Sequence, residues 1–407
     1  MRRFAAAAGL AAASIALVLA LAEGVLRARP GLIDRAVLME FDRDLRARVA
    51  DRLGLPLKQA RRCLAPAERL DGGPELCLIA PGDEVHQELQ PVDRALGARE
   101  RLPHDARGFC NPPAAAARAH ADVVAIGDSF TWCMAVAAEE TWPAVLEART
   151  GLAVYDLGVP GVGLHEYVEV LERFGLQLGP RAVVVGLYGG NDLRDAARFV
   201  EHRARGEPHE RAPAPGPLAA PWRHSYALNF VAASVEVLAQ RVTRPAIDFR
   251  FDVLQGGAWL AMNRGGADLD EVRLARALAA GEVAVSAWDA PLARLAALAE
   301  ARGFAVVVAY LPSAHAAYAP GVRFSDPEVG AAVTALDGTQ RTLLPELVGR
   351  HGMTYVDCTP ALHATAAGDA PAYFSGNLHP TPTGHAAIAA CVAPVVESLL
   401  ARAAKSG

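Results

Sequence analysis

The chain has 407 residues, of which 52% are hydrophobic and 21% are charged, and its formal net charge is -5. This length accommodates one large domain of about 250–300 residues with additional segments. The composition is typical of a globular protein and argues against disorder. The weakly acidic charge gives no reason to expect a nucleic acid as partner, because such partners need a concentrated basic surface.

The N-terminus predicts a membrane segment. Arg2 and Arg3 precede an uncharged apolar run at residues 4–22, close to the roughly 20 residues that cross a hydrocarbon core as a helix. The basic start predicts a cytoplasmic N-terminus and a periplasmic or extracytoplasmic remainder. Residues 1–30 then form a single-pass signal anchor, or Ala-Leu-Ala at 20–22 ends a cleaved signal peptide and the protein is secreted. We favour the anchor, because the run is long for a cleaved signal core.

Six cysteines are spread along the chain: Cys63, Cys77, Cys110, Cys133, Cys358 and Cys391. They form no CxxC pair, so a zinc site of the usual spacing is not expected. Export permits disulfides. The one local pairing that the sequence suggests joins Cys63 to Cys77 and closes a short loop.

Residues 31–119 predict an irregular N-terminal lead region. Phe41 to Leu55 has apolar and charged residues at helical spacing, whereas residues 64–118 are rich in Pro, Gly and charge and contain no long periodic run. We expect this region to pack on the main domain.

From Ala121 onward, short apolar runs alternate with helical patterns. The runs are bounded by Gly or by a helix start, as buried parallel strands are. The predicted strands are Val123 to Ile126, Val154 to Leu157, Ala182 to Leu187, Phe304 to Leu311 and Met353 to Val356. The predicted helices are Trp142 to Arg149, His165 to Phe174, Ala287 to Ala301, a segment within Asp326 to Arg350, and Thr383 to Ala403. Residues 120–403 therefore predict an α/β fold, a three-layer α/β/α sandwich with a parallel sheet of about five strands.

Residues 198–285 interrupt this alternation. They contain a proline-rich stretch at 206–222 and two glycine pairs, at 256–257 and 265–266. We expect an insertion between the third and fourth strands that forms a cap or rim over the site.

Four short segments fall where a predicted strand ends or a predicted helix begins: Gly127-Asp128-Ser129, Leu157 to Gly163, Gly189 to Asp192, and His379 to His385. Ligand sites of open α/β sheets form at this edge. Each segment also has a plain structural interpretation, as a helix N-cap, a glycine-rich turn, an Asn-containing turn or a surface histidine. Phosphate binding is disfavoured, because the glycines do not follow GxGxxG and no P-loop Lys follows them.

Together, the four segments resemble the SGNH hydrolase family, also called GDSL esterases. The resemblance covers about Ala121 to Phe199 and Tyr355 to Ala403. The stretch from Gly127 through Glu147 is similar to the bacterial, membrane-anchored members, and Arg107-Gly108-Phe109 upstream adds to that likeness. The implied fold is the flavodoxin-like parallel sandwich.

The resemblance implies a role for each matching residue. Ser129 is the nucleophile, and His379 takes its proton. The backbone N–H groups of Ser129 and Gly161 and the side-chain amide of Asn191 form an oxyanion hole. The implied reaction is acyl transfer through an acyl-serine, without a metal or an organic cofactor.

The sequence departs from the family at one place. Many members carry an Asp two or three residues before the His, where this chain has Asn377 and Gly376. Three hypotheses follow. A backbone carbonyl or Asn377 orients His379, a distant acid such as Asp357 or Asp369 does so, or the site is weakened or dead.

Two classes of function are compatible with these residues. The first is a serine ester hydrolase or O-acyltransferase acting on acetyl-like O-acyl esters of an envelope polysaccharide or lipid. The second is a catalytically weakened binding or assembly protein of the cell envelope. A phosphate- or nucleotide-binding protein is a weaker third hypothesis, resting on Gly158 to Gly163 alone.

Overall fold

The computed structural model describes residues 2–54, 62–63, 77–79, 82, 84–87, 89–205, 224–243, 247–264 and 269–406. The chain forms two compact units, Met1–Lys58 with Arg211–Ala246 and Gln59–Glu210 with Ile247–Gly407. The stretch 206–222 and the glycine pair 265–266 lie outside the described residues.

The strands, in chain order, are β1 (Arg62–Cys63), β2 (Cys77–Leu78), β3 (Glu84–His86), β4 (Arg101–Pro103), β5 (Val123–Gly127), β6 (Val154–Asp156), β7 (Ala182–Tyr188), β8 (Phe251–Gln255), β9 (Ala258–Met262), β10 (Ala305–Leu311), β11 (Val322–Phe324) and β12 (Thr354–Asp357). The α-helices are α1 (Arg2–Ala28), α2 (Arg35–Met39), α3 (Arg43–Leu53), α4 (Pro91–Ala95), α5 (Pro113–Ala116), α6 (Trp142–Thr150), α7 (Leu164–Val170), α8 (Asp192–Arg205), α9 (Tyr226–Thr243), α10 (Asp270–Ala279), α11 (Asp289–Arg302), α12 (Ala314–Tyr318), α13 (Pro327–Arg350), α14 (Thr359–Ala364) and α15 (Pro382–Ser406).

A five-stranded parallel sheet forms the centre of the larger unit, in the order β12-β10-β7-β5-β6. Every residue of β5, β6 and β7 is buried, so these strands are covered on both faces. Continuous Val- and Ala-rich runs are what such strands require. The five predicted strands and the predicted α/β fold are confirmed, because each apolar run pairs in parallel with its neighbours.

The second half of the expected insertion forms an antiparallel sheet that the sequence interpretation missed. Strands β8 and β9 are joined by Gly256 and Gly257, whose φ values are +57° and +81°, and β11 pairs with β8. Two glycines with positive φ between alternating strands are a strong hairpin signal. The backbone N–H of Asn263 donates to Ser375 O at 2.7 Å, so this sheet borders the loop that leads to His379.

The smaller unit consists of helices α1, α2, α3 and α9. Leu26, Val37, Leu45 and Tyr226 contribute to its buried cluster. The expected lead region, residues 31–119, is therefore divided between the units, since the described residues 31–54 belong to the same unit as a helix of the insertion. Amphipathic helices pair wherever their apolar faces find a partner, and separation along the sequence does not prevent this.

Within the described part of the chain, one helical segment is long and apolar enough to cross a membrane. It is Pro382–Arg402, with a mean hydropathy of 1.6, and 44% of it is buried. Ile388, Val392 and Val396 of this helix contribute to the core of the larger unit. Its apolar character is thus explained by packing.

The turn after β5 has no room for a side chain at Gly127. A Cβ atom there would lie 2.8 Å from Thr131 Cβ and 2.9 Å from Gly186 O. We expect Gly127→Ala to lower the free energy of unfolding by about 1–3 kcal/mol, because the overpacked turn must shift. Urea unfolding followed by fluorescence measures this change.

Gly338→Ala is the matched control. Gly338 is exposed inside α13, and a Cβ there meets nothing within 4 Å. This substitution should raise the free energy of unfolding by about 0.5–1 kcal/mol through helix propensity. Equal stability changes in the two variants would contradict the close packing assigned to the turn.

Candidate active site

The candidate nucleophile lies on a tight turn at the carboxyl end of β5. Asp128 Oδ1 accepts a hydrogen bond from the backbone N–H of Phe130 at 2.8 Å, and Asp128 O accepts one from Trp132 N–H at 2.9 Å. Ser129 is 9% exposed. The turn thus holds the Ser129 side chain at the edge of the sheet, where ligands bind in α/β proteins.

His379 reaches Ser129 from the loop before α15. Its Nε2 lies 2.9 Å from Ser129 Oγ, and its Nδ1 lies 2.9 Å from the backbone carbonyl of Asn377. A carbonyl oxygen can only accept, so Nδ1 carries the proton and Nε2 keeps its lone pair. This is the tautomer that accepts a proton from the serine hydroxyl.

Asn377 holds His379 in two ways. Besides its carbonyl, its side-chain Oδ1 accepts from the backbone N–H of His379 at 2.9 Å. Between them, Leu378 has a φ of +60°, a left-handed conformation that costs a residue with a Cβ free energy. The geometry agrees with the first hypothesis for orienting His379.

The two distant acids considered from the sequence are placed elsewhere. Asp357 bonds to the Arg341 guanidinium at 2.8 Å and accepts from the backbone N–H of Thr359 at 2.9 Å. Asp369 is exposed and lies near Gly256, in the turn between β8 and β9. The acceptor for His379 Nδ1 is the carbonyl of Asn377 and neither of these carboxylates.

Gly161 lies in the loop after β6, which is packed against the nucleophile turn. Val159 N–H donates to Gly127 O at 2.9 Å, and a Cβ on Gly158 would lie 2.9 Å from Trp132 Cα. Gly161 itself has a φ of +77°, which a side chain would disfavour. The loop therefore needs glycine both for its close approach and for its conformation.

Buried carboxylates fix both ends of this glycine-rich loop. Asp156 Oδ1 accepts from Gly158 N–H at 2.7 Å, and Glu166 Oε2 accepts from Gly163 N–H at 3.1 Å. Burial raises the pKa of Asp156 well above its usual value. It raises the pKa of Glu166 to about 8, with the charges of Asp195 and Glu169 adding to the effect.

Asn191 lies in the short turn between β7 and α8, immediately before Asp192. Gly189 is held by Leu311 O, which accepts from its N–H at 3.0 Å, and by Gln340 Nε2, which donates to its carbonyl at 2.8 Å. Asp195 N–H donates to Asn191 O at 3.0 Å. These bonds fix the backbone that carries the Asn191 amide beside the nucleophile strand, since β7 pairs with β5.

Asp128 and Asp192 shape the two turns through buried carboxylates. Asp192 accepts from Tyr167 OH at 2.6 Å and from Tyr188 N–H at 2.8 Å. Burial raises the pKa of Asp128 to about 7, and the negative charge of Asp195 also raises it. Burial and the charge of Asp128 raise the pKa of Asp192 well above its usual value.

Two further rings lie near the His379 imidazole. Phe130 packs against His379 with ring centroids 4.9 Å apart. His385, in the first turn of α15, accepts from Trp142 N–H at 3.1 Å. Burial, followed by the positive charge of His379, lowers the pKa of His385 to about 3, so His385 stays neutral and has a structural role.

The lead region contributes to the site, which sequence reasoning missed. Trp132 Nε1 donates to His104 Nε2 at 2.8 Å. The Asn111 side chain pairs with both backbone groups of Asp156, at 2.9 Å each. A disulfide joins Cys110 to Cys133. One sequence signal for these contacts was available: Arg107-Gly108-Phe109, which resembles the membrane-anchored members of the family and lies between His104 and Asn111.

A second disulfide joins Cys358, after β12, to Cys391 in α15. Neither disulfide was predicted. For the expected Cys63–Cys77 pair, the backbone register places the two residues opposite each other in β1 and β2. Their side chains lie outside the described residues, so that pairing stays a prediction.

Comparison with known proteins shows the family of the chain. The sequence model of the GDSL-like Lipase/Acylhydrolase family matches residues 125–387, a range that includes Ser129 and His379. No curated protein matches the chain.

Solved structures show more distant likenesses. The extracellular lipase of Streptomyces rimosus is 17% identical, with a TM-score of 0.36 over 69% of this chain and 99% of that one. The acetyl-xylooligosaccharide esterase Axe2 of a Geobacillus species is 12% identical, with a TM-score of 0.35 over 68% and 94%. The esterase EstA of a Pseudoalteromonas species is 9% identical, with a TM-score of 0.29 over 70% and 96%. These TM-scores are too low to support a conclusion about this chain. Its family assignment rests on the match to the sequence model.

The raised pKa of Glu166 predicts a pH-dependent stability. The folded protein binds the Glu166 proton more tightly than the unfolded chain does, because its pKa is higher in the folded state. The protonated carboxyl therefore adds to the free energy of unfolding below the unfolded pKa of 4.5, and this stabilisation is lost as the pH rises through about 8. Glu166→Gln keeps an acceptor for Gly163 N–H but cannot ionise. From pH 5 to pH 8, the free energy of unfolding of the wild type should fall more than that of the variant, by up to about 4 kcal/mol at about 1.4 kcal/mol per pKa unit.

Urea unfolding across this pH range measures the difference. Glu328→Gln, at an exposed position in the first turn of α13, serves as the control and should keep the wild-type slope. Parallel pH curves for Glu166→Gln and the wild type would show that Glu166 is not buried in the assigned way.

Proposed function

Because the chain belongs to the GDSL-like lipase and acylhydrolase family and is an ester-hydrolysing enzyme, we propose that Ser129 is its nucleophile and that its natural substrates are O-acyl esters at the cell envelope. The observation that carries this proposal is the 2.9 Å contact between Ser129 Oγ and His379 Nε2, with Nδ1 held by Asn377 O. A serine hydroxyl needs such a base in order to attack a carbonyl carbon.

The proposed reaction has two halves. Ser129 Oγ attacks the ester carbonyl while its proton passes to His379 Nε2, and the imidazolium returns the proton to the leaving alcohol. An acceptor hydroxyl then gives its proton to His379 and releases the acyl group from Ser129. With water as acceptor the product is a free acid, and with a sugar or lipid alcohol it is a new ester.

Three donors are proposed to stabilise the oxyanion of each tetrahedral intermediate: the N–H groups of Ser129 and Gly161 and the side-chain amide of Asn191. Their backbone is fixed in advance by the bonds to Gly127, Asp156 and Gly189 described above. Fixed donors stabilise developing charge without reorganising during the reaction, and each one typically contributes about 3–4 kcal/mol to the transition state.

The proposed dyad works without a carboxylate bonded to the imidazole. The Asn377 carbonyl supplies only a partial negative charge, so it orients the ring and stabilises the imidazolium less than an anion does. The binding-protein alternative accounts less well for the site, because a binder needs neither an oriented imidazole nor a hydroxyl beside its free nitrogen.

The activity test uses the full chain in detergent with p-nitrophenyl acetate. We expect Ser129→Ala and His379→Ala to abolish release of p-nitrophenol. Asn191→Ala should lower kcat by about a hundred- to a thousand-fold, because one oxyanion donor is lost. Mass spectrometry of the wild type should detect an acylated Ser129.

Asp289→Asn, at a surface carboxylate paired with His351, controls for nonspecific effects. Activity that persists in folded Ser129→Ala would refute the assigned nucleophile. A sugar or glycerol is then added to the wild-type reaction as an alternative acyl acceptor. Formation of a new ester indicates acyl transfer, and formation of free acid alone indicates hydrolysis.

An envelope location is supported by the smaller unit. Helix α1 has 27 residues, about 40 Å at 1.5 Å per residue, enough to cross a hydrocarbon core of about 30 Å. Of the sixteen large apolar side chains that the structure describes as exposed, eleven lie in the smaller unit. Such a concentration marks a surface that another apolar phase covers.

Helix α9 extends this apolar surface beyond α1. Its face with Val231, Val235 and Leu238 is 51–62% exposed, although Tyr226–Ala239 is apolar throughout most of its length. This apolar stretch is too short to span a bilayer. The start of α9 is bonded to α1, because Glu23 Oε2 accepts from Ala227 N–H at 2.8 Å. We propose that α1 spans the bilayer and that this face of α9 lies in the same bilayer's interface.

Fluorescence quenching by spin-labelled lipids tests this arrangement in proteoliposomes. We expect an environment-sensitive label at Val235→Cys to be quenched several-fold more than the same label at Glu236→Cys, the adjacent position on the same helix. Leu17→Cys reports insertion of α1. Quenching at position 17 without quenching at position 235 would refute only the interfacial location of α9. No quenching at position 17 would refute the proposal that α1 spans the bilayer.

A further inference from the structure

A carboxylate from the lead region lies beside the loop that carries His379. Asp93, in α4, is 1% exposed, and its Oδ1 accepts from the backbone N–H of Gly376 at 2.6 Å. Gln90, just before α4, donates from Nε2 to Gly376 O at 3.1 Å. Both backbone polar groups of Gly376 are therefore held by two side chains of the lead region.

The Asp93 carboxyl also fills the space that a side chain at position 376 would take. A Cβ on Gly376 would lie 2.9 Å from Asp93 Cγ and 2.8 Å from Gln90 Cδ. Gly376 has no positive φ, so its lack of a side chain is explained by the occupied space and not by its backbone conformation. The family commonly has its acid two or three residues before the His, and position 376 is one of these two places.

We propose that Asp93 is the positioning acid of His379, supplied by the lead region in place of the acid missing from the loop. Asp93 fixes Gly376, and through it the Asn377 peptide that follows. Asn377 O in turn accepts from His379 Nδ1 and sets the ring towards Ser129. Asp93 acts through the loop backbone, so it is a positioning residue and not a catalytic one.

The chemistry of the pocket agrees with an acid at this place. Burial raises the pKa of Asp93, and the N–H groups of Gly376 and Asn377 lower it again in part. Two backbone donors aimed at one carboxyl favour its ionised form.

Substitutions at positions 93 and 376 test the proposal on the full chain with p-nitrophenyl acetate. Asp93→Ala should lower kcat by about a hundred-fold with little change in KM, because a small displacement of the base is costly in the transition state. Gly376→Ala should also lower kcat, because its Cβ would lie 2.9 Å from Asp93 Cγ and 2.8 Å from Gln90 Cδ and would displace the loop.

Asp93→Asn keeps the size and an acceptor for Gly376 N–H, and it serves where Asp93→Ala does not fold. Its kcat should lie between those of the wild type and Asp93→Ala. Asp369→Asn, an exposed acid of the larger unit, is the matched control and should keep the wild-type kcat. Thermal unfolding of each variant separates loss of fold from loss of positioning.

The inference rests on the proposed roles of Ser129 and His379, and the two can fail separately. Wild-type kcat in folded Asp93→Ala, or a kcat of Asp93→Asn no higher than that of Asp93→Ala, overturns the role of Asp93 while Ser129→Ala remains inactive. Activity in Ser129→Ala overturns the proposed mechanism itself, whatever the Asp93 variants do.

Discussion

The hydrogen bond between Ser129 and His379 is the contact on which the site depends, and it joins residues 250 positions apart in the chain. Neither partner lies inside a regular element, so each must be fixed by its own turn. Ser129 is held by the Asp128 bonds at the end of β5. His379 is held by Asn377 and by a left-handed Leu378. The parallel sheet brings the two turns to one edge, and local bonds then set the distance.

This fixing has an energetic cost, which is concentrated under the site. Asp128, Asp156, Asp192 and Glu166 are buried acids whose pKa values are raised by burial. Each accepts a hydrogen bond from a backbone N–H at the site and so fixes the conformation of a loop or turn. Because its pKa is raised, each also lowers the free energy of unfolding near neutral pH. Such local conflicts with stability are expected where a site must be held rigid before its substrate arrives.

The sequence was sufficient for the sheet and for the pair Ser129 and His379, which the structure brings into contact, because both have local signals. Apolar runs of four to eight residues mark buried strands, and Gly-Asp-Ser and the His segment stand at strand and helix ends. The β8–β9 hairpin also had a local signal, in Gly256-Gly257, and was missed. Asp93 had none, and Asn111 and the Cys110–Cys133 disulfide had only the neighbouring Arg107-Gly108-Phe109 likeness. Each acts through a contact that only the folded chain creates, so the sequence alone does not indicate that contact.

These unpredicted contacts change what the lead region is. It contacts the turn after β5 through Cys133, the loop after β6 through Asn111 and the loop before α15 through Asp93. One irregular segment thus contacts all three turns that must hold their relative positions within a fraction of an ångström. No single helix or strand supplies this, because it presents its side chains in only one or two directions. The described residues 89–118 join short helices and one strand by irregular turns, and this alternation lets one segment reach all three turns.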